Sequence, residues 1–116
     1  MSKAKTEIAD RLQALHAEAG VPSYGAMQRH MVDRLGTAGS TTAESIRRWH
    51  LHGVEPAGAP IEQLRVLCDF YGEELGRTMT LVDIHPALAA RWDTVRRIAI
   101  TSRYHDKGQQ VLFRAA

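Results

Sequence analysis

Helix breakers recur at short intervals along this chain, and that punctuation most constrains what it can fold into. Gly20 with Pro22, then Gly36, Gly53, the run VEPAGAP (54–60) and Gly72 divide the first two-thirds into four stretches. Each stretch carries apolar residues at helical spacing. In the first, Ile8, Leu12, Leu15 and Ala19 recur at i, i+4, i+7 and i+11 behind Thr6, a good N-cap. In the second, Met27, Met31 and Leu35 follow the candidate cap Ser23, and Gly36 ends the run. The third has two candidate caps. Thr41 with Glu44 three residues later fits a capping box, and Thr42 is the alternative. The fourth opens at Pro60, whose missing N–H suits a first helical position, and shows Ile61, Leu64, Leu67, Cys68 and Tyr71 on one face before Gly72. Four such helices can enclose one core without any sheet.

Beyond them the pattern weakens. GRTMTLVDI (76–84) contains the β-favouring Thr78, Thr80, Val82 and Ile84, and reads as a linker, a strand or a turn of helix. From Pro86 a fifth helix is expected, with Leu88, Trp92, Val95 and Ala99 on a narrow stripe and Ile98 beside it. In the tail HDKGQQVLFRAA, Gly108 is a break and Val111 alternates with Phe113, as in a short strand or ordered extension. Its end also resembles the small apolar tags that bacterial proteases recognise, although Val111 and Phe113 packed on the fifth helix with fraying terminal alanines is the preferred reading. The expected organisation is therefore all-α, four to five helices, with residues 1–75 as one domain and 76–116 as a basic C-terminal extension for packing, dimerisation or further contacts.

Composition narrows the function. At 116 residues the chain is one domain with a core of its own. The single cysteine, Cys68, cannot form an internal disulfide or a cysteine-based zinc site, and on an apolar stripe it reads as core. No apolar run reaches the ~20 residues of a membrane span, and MSKAKTEIAD is not a signal peptide, so a cytoplasmic location is expected. Six histidines are present, but His50 and His52 point to different sides of a helix, and His16, His30, His85 and His105 lack ligand spacing. They read as surface or groove-facing. No phosphate loop, HExxH or nucleophile–base signature occurs, so neither an enzyme, a metal nor a cofactor is expected.

Charge is unevenly placed. Residues 1–53 carry seven Lys/Arg against five Asp/Glu, 54–76 one against five, and 77–116 seven against three. Two basic ends thus flank an acidic middle, as a polyanion-facing surface with a solvated back would produce. The third helix concentrates the most specific chemistry. Ile46 and Trp49 share a buried face, which turns Ala43, Glu44, Arg47 and Arg48 outward. Arginine can donate bidentately to guanine, glutamate can accept from cytosine N4, and alanine can touch a thymine methyl. The free amides of the helix start near Thr42 also favour phosphate. In the extension, Arg96, Arg97 and Arg103 are candidate phosphate contacts.

Residues 6–72 resemble the Xre/lambda-repressor type of helix-turn-helix domain, in the actinobacterial form with a lengthened second helix and turn. The matching segments are EIADRLQAL, SYGAMQRHMVDRLG, TTAESIRRWHLHG as recognition helix, and APIEQLRVLCDFYG. The resemblance implies a sequence-specific regulator that binds double-stranded DNA, such as a phage immunity repressor, a Cro-like switch, a host regulator or an antitoxin. The family's glutamine at the start of the second helix falls on Gln28 in one alignment and is replaced by Tyr24 in the other; either is then a backbone contact. Outside DNA binding, the same helices can serve as a protein–protein interaction module. The sequence leaves open whether the chain acts as a monomer or a homodimer.

Overall fold

The computed structural model describes residues 2–99, all of whose regular structure is helical. The elements are α1 (Lys3–Glu18), α2 (Tyr24–Gly39), α3 (Ala43–His52), one 3-10 turn (Pro56–Gly58), α4 (Ile61–Leu75) and α5 (Leu81–Ile84). A sixth helix, α6, covers 86–99. No strand occurs among the described residues. The tail around Gly108, Val111, Phe113 and the terminal alanines lies outside them, as does Arg103.

The apolar stripes read from the sequence converge on one core. Ile8, Leu12 and Leu15 of α1 meet Met27 and Met31 of α2, Ile46 and Trp49 of α3, and Leu64, Leu67 and Tyr71 of α4. Val66 and Phe70 are buried as well, so α4 is enclosed on more of its circumference than a single stripe. Leu81, Ile84 and Leu88 extend the same core toward α6, where Trp92 and Val95 are only partly covered. Cys68 is 2% exposed within it, and burial pushes its thiol up to about 12.

Helix boundaries differ from the sequence expectation in instructive ways. α1 starts at Lys3, not at Thr6, because the Ser2 hydroxyl accepts from the Lys5 amide at 3.2 Å. Thr6 lies inside the first turn and bonds back to the Ser2 carbonyl. The other end of α1 closes by paired bonds, from Gly20 N–H to Ala17 and from Val21 N–H to His16, which satisfy otherwise free carbonyls. In α2, Gly36 leaves helical geometry as expected, at φ 76° and ψ 168°, and one further turn hangs beyond it.

α4 does not stop at Gly72. It runs on to Leu75 and ends at Gly76 in the left-handed conformation. Gly72 answers a different need: a Cβ there would lie 2.7 Å from the Arg77 carbonyl oxygen, which folds back over the helix. The segment 76–84 is the turn of helix among the alternatives. The Thr80 hydroxyl and Asp83 carboxylate form a reciprocal capping box that starts α5.

Ion pairs then fasten the helices to one another. Arg34 of α2 donates to Glu73 of α4 at 2.8 Å, and Arg77 grips Glu18 of α1 through both terminal guanidinium nitrogens. Arg11 Nε donates to the Asp83 carbonyl of α5 at 2.8 Å.

Candidate nucleic-acid interface

α3 is a short helix and needs outside support, since ten residues alone are marginal in water. The support is extensive. Thr42 is the N-cap, accepting from the Ser45 amide at 3.1 Å, so the Thr41–Glu44 capping box does not form. Gly53 closes the helix at φ 75°, and a Cβ there would overlap the Lys5 carbonyl oxygen. Only glycine meets both demands, so the end of α3 sits directly against the Lys5 main chain of α1. One turn earlier, Gln13 of α1 donates to the His50 carbonyl at 2.8 Å, satisfying a helix-end acceptor.

His50 is the largest departure from the sequence reading. It is fully buried, neither on the surface nor in a groove. Its Nδ1–H donates to the Ile46 carbonyl at 2.8 Å, which leaves Nε2 to accept from the Tyr71 hydroxyl at 2.7 Å. Burial lowers its pKa to about 4, with Ile46 opposing and His16 adding to the shift, so the ring is neutral at pH 7. Around it, His16 stacks on Tyr24 with ring centres 5.0 Å apart, and Tyr24 leans on His50 at 5.2 Å. The His16 Nε2–H also donates to the Pro22 carbonyl at 2.8 Å. One aromatic knot therefore joins α1, α2, α3 and α4. The signal available in the sequence was position: His50 follows Trp49 and lies four residues from Ile46.

The opposite face of α3 is open. Glu44, Arg47, Arg48 and Leu51 follow one another at i, i+3, i+4 and i+7 and are all exposed. Leu51, 43% exposed, is an outward apolar residue that the sequence reading left out. Ala43 is half-buried at the helix start beside the exposed Thr42. Arg47 donates to Glu44 through two nitrogens, at 2.9 and 2.7 Å, and Arg48 Nε reaches the same carboxylate at 3.3 Å. The Arg47 guanidinium, aided by Arg48, holds the Glu44 carboxyl down at about 2, and Glu44 in turn raises Arg47. In the free protein both arginines are engaged with one acid.

The structure brings five of the expected residues, Thr42, Ala43, Glu44, Arg47 and Arg48, onto one helix. Tyr24 opens α2 and bears electrostatically on Arg47, with its ring held between His16 and His50. Gln28 follows one turn later, half-buried. Arg96 and Arg97 are exposed on α6, a different element, where Arg96 pairs with Asp93 at 3.4 Å. Among the described residues, no three His, Cys, Asp or Glu side chains gather into a possible metal site, and no helix is long and apolar enough to cross a membrane. Comparison of the chain with protein-family models, curated proteins and solved structures found no match in any of the three.

Proposed function

We propose that this chain is a sequence-specific double-stranded DNA-binding regulator of the lambda-repressor helix-turn-helix kind, acting as a phage-type repressor by occupying its operator. The observation that carries this reading is the two-sided character of α3. Ile46, Trp49 and His50 are buried, while Glu44, Arg47, Arg48 and Leu51 stand in a row on the open side. A helix read by base edges needs that division: a rigid seat behind and donors of fixed direction in front. The supports from Gln13, Gly53 and Tyr71 supply the rigidity, since side chains that must meet a base within tenths of an ångström tolerate little helix rotation. Tyr24 and Gln28, on the preceding helix, suit contacts to the DNA backbone, which fix register and carry no sequence information.

Selection of bound duplexes from a random DNA library tests the function. One enriched motif is the expected outcome, and a palindromic motif would identify a homodimer through its half-site spacing. A folded protein that enriches no sequence would instead be a helical interaction module.

A further inference from the structure

Among the described residues, some arginine–carboxylate pairs hold separate elements together and others stay within one helix. Arg96–Asp93 stays within α6, whereas Arg34–Glu73 joins α2 to α4 and Arg77–Glu18 joins the end of α4 to α1. Glu44 too pairs only within its own helix, with Arg47 and Arg48. Its oxygens are spent on those two side chains and on no backbone amide, so it serves neither as a cap nor as a tertiary link. All three side chains are about half exposed or more.

The geometry of the Arg47 contact is the informative part. Arg47 presents Nε and one terminal nitrogen side by side to the two carboxylate oxygens. That two-donor edge is the one a guanine O6/N7 pair or a phosphate would take. The acid therefore competes directly with DNA for the same donors. A phosphate offers the arginines a replacement but leaves the freed carboxylate facing a polyanion. A guanine whose neighbouring position offers a cytosine amino group satisfies both partners at once.

We infer that Glu44 is a specificity-determining residue: by holding Arg47 and Arg48 in the free protein it suppresses attachment to arbitrary DNA and gives them up only where base edges satisfy the arginine and the acid together. This rests on the reading of α3 as a DNA-facing helix. The clamp is weak enough to open, because exposed ion pairs are worth on the order of a few-fold in an equilibrium constant.

The test uses the full chain, wild type and Glu44→Gln, with a duplex of the selected sequence and a scrambled duplex between 50 and 200 mM salt. The variant is expected to bind the scrambled duplex about three- to tenfold more tightly at low salt, with a salt slope steeper by about 1. The ratio between the two affinities should shrink about tenfold. Equal weakening on both duplexes, or an unchanged ratio, overturns the role. A second readout needs no DNA: the Arg47 Nε–H proton resonance should exchange slowly in the wild type and fast in Glu44→Gln. Identical exchange in the two proteins refutes the clamp and leaves the DNA reading intact. A wild type that binds neither duplex refutes the DNA reading itself, and with it the role of Glu44.

Discussion

α3 and α6 carry nearly the same signature, a tryptophan close to adjacent arginines, and the fold treats them differently. In α3, Trp49 is 7% exposed, and the helix is pinned by Thr42, Gln13, Gly53 and the His50–Tyr71 bond. In α6, Trp92 is half-buried with the Arg65 guanidinium 4.3 Å above its ring, and beyond Val95 the described helix is exposed on every side. Both helices present an Arg-Arg pair to solvent. Only one presents it from a fixed seat. A local pattern of residue types thus says where arginines point, whereas the contacts behind them decide how sharply.

The largest expected difference is in stability. Trp49→Ala should cost ~3–5 kcal/mol in urea unfolding, since it leaves a cavity at the centre of the core. Trp92→Ala should cost about 1–2 kcal/mol, the loss of partial burial and a cation–π contact. Equal costs would break the contrast and make α6 a full member of the core.

Acid should separate the helices next. His50 titrates near 4 when folded and near 6.5 when unfolded, so protons favour the unfolded chain between those values. Its contribution is complete above pH 6.5 and lost as pH falls toward 4, amounting to about 3 kcal/mol at full titration. His50→Gln should flatten this stretch of the stability–pH curve, whereas Trp92→Ala should keep it. A wild-type curve that is level from pH 6.5 to 4 would mean that His50 is not held neutral.

The smallest effects concern binding. Arg47→Ala should cost ~1–3 kcal/mol at one operator position and relax selectivity there. Arg97→Ala should weaken all sequences alike, lowering the salt slope by about 1 and leaving preference untouched. If Arg97→Ala changes the preferred base at any position, α6 reads sequence too.

The body of the fold was legible because its signals are local and repeated. The stripes Ile8–Leu12–Leu15, Met27–Met31, Ile46–Trp49 and Leu64–Leu67–Tyr71 all turn inward, Gly20 and Gly53 mark ends where expected, and Gly36 is a break inside α2, which runs on to Gly39. Caps were harder, because Ser2 and Thr6, or Thr41 and Thr42, are chemically equivalent choices, and the backbone direction picks between them. Gly72 reads as a stop because a glycine looks alike whether it ends a helix or admits a passing chain. The burial of His50 was hinted at only by its place after Trp49 and four residues from Ile46. It depends on a hydroxyl 21 residues away and on rings from two other helices. On the outward face, the identities of Glu44, Arg47 and Arg48 could be read, but their mutual engagement is a matter of rotamers.

Cys68 makes this molecule its own reporter. A buried thiol with its pKa raised to about 12 is almost never a thiolate at neutral pH, so a disulfide reagent can modify it only after the packing of α4 against residues 78–93 loosens. Because the chain has no second cysteine, the colour released on modification counts opening events at that one seam. Timed against the unfolding of the whole chain, it tells whether this seam opens alone or only when the core opens with it.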